Sequence, residues 1–281
     1  MTEWYEFSEA RRTIDPDERG FQYGDGLFET IAIRHGEPRL WEYHLQRLGA
    51  GCKRLGLKMP GAGSLKARLD LAISESRHES VFCIAKIIVT AGVLQRGYGR
   101  AMPAEPSIYI GMFPALPVNQ PAYVKGVATM LCETRLATGS PVAGLKTLNR
   151  IEQVLARSEC LPTGAFEGLT LDAEGRLICG TMSNVFIVSN KVIKTPSLER
   201  CGVAGTMRQF VLDLLDRQAV DVEVCDLDWA DLVAADEVFI ANSQMGAVPV
   251  HRCGNHKWAI GDVTRDVMKL LAENGIAECR L

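Results

Sequence analysis

The chain has 281 residues, 47% hydrophobic and 23% charged, which excludes a disordered segment and predicts one large or two smaller globular domains. A formal net charge of −3 without any basic run argues against nucleic acid or an anionic membrane surface as partner. No apolar stretch approaches the roughly 20 residues of a membrane span.

The N-terminus "MTEWYEFSEARR" is acidic and lacks the apolar centre of a secretory signal. Nine cysteines, an odd number scattered singly without a CxxC pair, predict reduced thiols and a cytoplasmic protein. The five histidines show no metal-ligand spacing, so no metal is expected.

"GLFETIAIRHG" alternates around Phe28, Ile31 and Ile33 and turns at Gly36, a strand. "LWEYHLQRLGAGCKRLGL" has helical spacing and should end at Gly56, since glycine tolerates the left-handed cap. A second helix is predicted over "SLKARLDLAISESR", followed by neighbouring strands in "VFCIAKIIVTAG" and "PSIYIGMFPAL". Prolines 114, 117 and 121 mark residues 114–124 as a linker between a smaller domain, 1–113, and a larger one, 125–281.

The larger domain opens with a strand in "GVATMLCETRLA". A helix follows Lys146, then a hairpin region over "FEGLTLDAEGRLICGTMSNVFIVSNKVIKTP". A helix from about Thr206, strands in "VDVEVCDL" and "DEVFIANSQMGAVPV", and a helix after Gly261 complete it. Strand groups mixed with helices indicate an α+β protein.

Lys146 stands just before a predicted helix whose cap would be Asn149, with Glu152 closing a capping box and Ile151, Val154 and Leu155 facing inward. A lysine turned into an apolar pocket becomes a nucleophile toward aldehydes, although most lysines are solvated.

Six blocks weigh on that choice: "RGFQYGDGLFET", "HLQRL", "LKTLNRIEQVLAR", "GTMSNVF", "GVAGTMRQ" and "NSQMGAVPV". In this order, from about Arg19 to Val250, they resemble the fold-type IV pyridoxal-phosphate enzymes, whose fold is that of D-amino-acid aminotransferase. Within that superfamily the set is most similar to the aminodeoxychorismate lyases.

The resemblance implies pyridoxal 5'-phosphate in a cleft between two domains, a small-molecule substrate and a homodimer with pocket residues from both subunits. The implied reaction converts 4-amino-4-deoxychorismate to 4-aminobenzoate and pyruvate. D-amino-acid and branched-chain aminotransferases, or a non-catalytic relative, are the rival readings. Lys146 would hold the cofactor as a Schiff base and then move protons. Arg47 would bind its phosphate, with the Thr206 and Met207 amides at a helix start, and Asn242 and Ser243. Asn184 would act either at the cofactor or by stabilising a turn.

Phe28, Arg96 and Tyr98 fall on the substrate side; the bland reading of "QRGYGR" is an exposed loop. One position departs from the family. Cys179 stands where a glutamate usually pairs with the pyridine nitrogen, and a neutral thiol cannot hold that proton as a carboxylate does.

Overall fold

A computed structural model describes residues 3–6, 14–76, 82–94, 96–115 and 117–281. The chain divides into two compact units, Met1–Pro117 with Leu145–Asn149, and Val118–Gly144 with Arg150–Leu281. The Lys146 segment therefore packs with the first unit, whereas a boundary at 125 assigns it to the second. The reason is backbone pairing: Phe28 N donates to Lys146 O at 3.0 Å, and Leu148 N to Gly26 O at 3.0 Å.

The first unit holds a five-stranded antiparallel sheet in the order β1 (Glu3–Glu6), β5 (Ser107–Pro114), β4 (Phe82–Thr90), β2 (Gly26–Arg34), β3 (Glu37–Pro38). Helices α1 (Arg19–Tyr23), α2 (Trp41–Leu55) and α3 (Ala62–Glu75) accompany it. Alternation along β2 points Leu27, Glu29, Ile31 and Ile33 one way, where the apolar three join Leu48, Cys52, Leu65 and Leu69 in one core. Phe28 has the opposite parity and lies on the other face, so it does not alternate with Ile31 and Ile33. Helix α2 stops where the sequence says, at Gly56 in the left-handed region (φ 62°).

Residues 114–124 are not open linker throughout. Pro114 closes β5, and Gln120–Lys125 forms α4 with a proline in its first turn, the one helical place where the missing N–H costs nothing.

The second unit holds a ten-stranded sheet among the described residues. Its main path runs β11 (Val222–Cys225), β10 (Val192–Pro196), β9 (Asn184–Ser189), β13 (Glu237–Asn242), β14 (Gly246–Cys253), β6 (Val127–Leu131), β7 (Glu167–Leu171), β8 (Arg176–Gly180), β12 (Leu227–Asp228). Strand β15 (His256–Lys257) pairs with β14 off this path. The segment 236–250, expected as a single strand, is a hairpin of β13 and β14. Helices α5 (Ile151–Cys160), α6 (Thr206–Arg217), α7 (Trp229–Ala234) and α8 (Asp262–Glu273) complete the unit.

Helix α5 overturns two expectations. Its N-cap position is Arg150, without a side-chain cap; the Asn149 amide instead donates to Tyr23 O, and Glu152 accepts from Ala137 N. Ile151, Val154 and Leu155 are 66, 55 and 54% exposed, while Ala156 and Cys160 face inward. Space decides this. Gly168 of β7 leaves so little room that a Cβ there would lie 2.4 Å from Cys132 Sγ and 2.6 Å from Cys160 Sγ, so only small side chains fit beneath the helix.

Among the described residues, no helix is long and apolar enough to cross a membrane, and no group of three or more His, Cys, Asp or Glu could hold a metal ion.

Candidate active site

In the first unit, two ammonium groups meet one aromatic ring. Lys146 Nζ lies 4.2 Å from the Phe28 centroid, and Lys86 Nζ lies 5.0 Å from it. Lys86 sits opposite Thr30 in the β2–β4 register, which brings it to the Phe28 face, and burial pushes its pKa down. Sequence reasoning missed it. The available signal was a lysine interrupting the β-branched run "CIAKIIV", and only the pairing register says which ring it faces.

On the other face of β2, Glu29 is a carboxylate in an apolar row. Helix α2 brings His44 and Arg47, three residues apart and so on one side, onto it. His44 Nδ1 is 2.6 Å from Glu29 Oε2; Arg47 donates from Nε to Oε1 at 2.9 Å and from Nη2 to Oε2 at 2.5 Å. Burial opposes ionisation of Glu29, yet the Arg47 charge and the bonds from His44 and Arg47 outweigh it and hold the pKa at about 2. Burial pushes the His44 pKa down, and the Arg47 and Lys146 charges act the same way against Glu29. An ionised carboxylate only accepts, so the neutral ring donates from Nδ1 and leaves Nε2 as a buried acceptor with no hydrogen-bond partner.

Arg96 and Tyr98 are both exposed in the single chain; the Tyr98 ring, 89% exposed, lies 5.5 Å from that of Tyr23. The loop they belong to is anchored from behind. Arg19 donates to Gly97 O and Tyr98 O, and Arg19 and Arg100 share Asp25 of the "GDG" turn at 2.9 and 2.8 Å.

In the second unit, Asn184 starts β9, is buried, and donates from Nδ2 to Val203 O at 3.0 Å. It thereby ties β9 to the loop that enters α6. Gly205 caps α6 with no side chain, and a Cβ there would lie 2.0 Å from Asn184 Oδ1. The buried residues Thr206 and Met207 open the helix, where amide dipoles favour an anion. Asn242 Oδ1 accepts from Gln244 N and Met245 N, shaping the turn that carries Ser243.

Cys179 is buried beside Ile178, Leu198 and Cys201, with its carbonyl accepting from Thr170 Oγ1. Arg150, also missed from sequence, has its pKa lowered by burial, against the opposing influence of Cys179, Glu152 and Cys201. Between Cys179 and Asn184, the turn 180–183 closes over Glu167. That carboxylate, 1% exposed, accepts from Gly168 N, Thr181 N, Thr181 Oγ1, Met182 N and Ser183 Oγ. From sequence it reads only as a strand residue.

The amino-transferase class IV family model matches residues 26–253, and the chain belongs to that family. Its fold is the fold-type IV α+β architecture that the motifs imply. The chain is 37% identical to an aminodeoxychorismate lyase of Vibrio harveyi, over 83% of its own length and 84% of that protein's. A 4-amino-4-deoxychorismate lyase structure from Pseudomonas aeruginosa superposes with a TM-score of 0.87 at 38% identity, over 97% of this chain and 99% of that one. A putative branched-chain-amino-acid aminotransferase of Methanocaldococcus jannaschii is 28% identical over 88% of this chain and 86% of that protein.

Proposed function

We propose that the protein is a pyridoxal-phosphate-dependent lyase that converts 4-amino-4-deoxychorismate to 4-aminobenzoate and pyruvate. The observation that carries this reading is the Lys146 amine, held 4.2 Å over the Phe28 ring by backbone pairing with β2, in a chain 37% identical to a lyase of that name.

The residues fit the cofactor. Its aldehyde needs an amine, which Lys146 supplies. Its phosphate needs N–H donors and positive charge. In the first unit Arg47 is such a donor; in the second, taken by itself, the amides that open α6 are others, and Gly205 before them lacks the Cβ that would lie 2.0 Å from Asn184 Oδ1. Within the second unit, Asn184 ties down the loop that enters α6, and Asn242 shapes the turn that carries Ser243. When bound, pyridoxal phosphate would supply an electron sink for the amine-bearing ring carbon of the substrate, whose proton it would make acidic. Lys146 Nζ takes that proton as general base, and the enolpyruvyl oxygen leaves once protonated. Phe28 packs against the half-buried lysine, and Lys86, Arg96 and Tyr98 are the donors for the substrate carboxylates. Cys179, in place of a carboxylate, leaves a weaker electron sink; formation of an aromatic product supplies the drive that amino transfer lacks.

The test gives the purified protein enzymatically generated aminodeoxychorismate, and separately D-alanine with 2-oxoglutarate. We expect 4-aminobenzoate and pyruvate in equal amounts from the first and no glutamate from the second. Glutamate without 4-aminobenzoate would make the protein an aminotransferase.

The working unit we infer is a cytoplasmic homodimer. None of the nine cysteines is in a disulfide, which suits a reducing compartment. The outer face of α5 exposes Ile151, Val154 and Leu155, and Leu161 just beyond it is 73% exposed, an apolar surface a second copy would cover. Sedimentation equilibrium should give twice the chain mass, and Val154→Glu with Leu155→Glu should shift it toward one chain. A wild-type monomer at tens of micromolar would remove this part of the reading.

A further inference from the structure

Neither the amine chemistry of Lys146 nor the binding of substrate carboxylates uses Glu29. A carboxylate 2% exposed in an apolar row is costly unless its partners use it, and an apolar side chain of similar size would fill the same space. Its partners are specific. Glu29 takes both Nε and Nη2 of Arg47, the two-pronged geometry that fixes the plane of a guanidinium and not merely its distance. His44, donating from Nδ1 to Oε2, keeps the carboxylate from rotating away. His44 is neutral, so the three side chains sum to no net charge, and the arginine is both aligned and compensated within the fold.

We propose that Glu29 is the positioning residue for Arg47: it aims the guanidinium at the cofactor's phosphate and has no part in the amine chemistry of Lys146. This rests on the reading of Arg47 as a phosphate donor. An unaligned arginine would have to lose side-chain freedom on meeting the anion, and alignment by Glu29 removes that cost in advance. Because Glu29 is itself negative, it also weakens the field that Arg47 presents. The two effects of the carboxylate oppose one another, which makes the sign of a substitution informative.

The experiment compares pyridoxal 5'-phosphate with pyridoxal, which lacks the phosphate, on wild type, Glu29→Gln, Glu29→Asp and Arg47→Ala. Dissociation constants come from the absorbance band of the lysine-bound form. We expect Glu29→Gln to weaken pyridoxal phosphate about tenfold and to leave pyridoxal unchanged. Glu29→Asp, which keeps the charge, should recover part of the loss and serves as the reading if the glutamine variant folds poorly.

An acid-unfolding curve reports the charge independently. The folded pKa of Glu29, about 2, lies below its ordinary 4.5, so its contribution is complete above pH 4.5 and lost as the pH falls toward 2. Glu29→Gln removes that contribution. Equal weakening of both ligands would make Glu29 merely structural, and unchanged or tighter binding of pyridoxal phosphate would show that it only dampens charge; either overturns the proposal alone. If wild type does not prefer the phosphorylated ligand, or keeps its preference in Arg47→Ala, the assignment of Arg47 falls and the proposal with it.

Discussion

Lys146→Ala lowers lyase turnover by at least about 10³-fold and abolishes covalent retention of the cofactor. The cofactor-free variant melts within about 2 °C of wild type. The separation follows from how the segment is held. Its backbone, not its side chain, pairs with β2, through Phe28 N to Lys146 O, Leu148 N to Gly26 O, and the Leu27–Thr147 bridge. Alanine keeps all of these and deletes the side chain that carries the amine above Phe28. Steady-state assays and thermal melts measure the two halves. Turnover within tenfold of wild type would mean that another group moves the proton.

Glu167→Ala should be among the most destabilising single changes in the chain, at about 4 kcal/mol, and should lower Tm by roughly 10 °C. Five donors lose one buried acceptor at once, at distances from 2.5 to 3.2 Å. No other side chain can take its place, because the turn is too tight. A Cβ on Gly180 would already lie 2.3 Å from Ser183 Oγ and 2.8 Å from Glu167 Cδ. Since the turn joins Cys179 to Asn184, the variant should also loosen the entry to α6 through the Asn184–Val203 bond. Glu167→Gln keeps an acceptor and should cost about half as much. Chemical denaturation gives the values, and a loss below about 1 kcal/mol would mean that the turn stands without the carboxylate.

What could be read in the sequence was local. The β-branched runs of β4 and β5, the glycine stop at Gly56 and the start of α6 at Thr206 depend on propensity and backbone freedom, which short stretches carry. The periodicity of α5 was legible too, but not its direction. Ile151, Val154 and Leu155 do share one face, and the close approach of β7 at Gly168 turns that face outward.

The order and spacing of the six blocks marked Lys146 and Arg47. What surrounds each of them was hidden, because it depends on how elements lie across one another. Glu29 meets Arg47 only when α2 lies over β2, and Lys86 meets Phe28 only in the β2–β4 register. Arg96 and Tyr98 read as substrate donors, yet in one chain they point to solvent, held by Arg19 from behind.

The most direct measurement is borohydride reduction of the protein after incubation with pyridoxal phosphate, followed by peptide mapping. The mass of one reduced cofactor should appear on the peptide containing Lys146, and the visible band should vanish. Label spread over surface lysines, or fixed on Lys86 with Lys146 unmodified, would contradict the account.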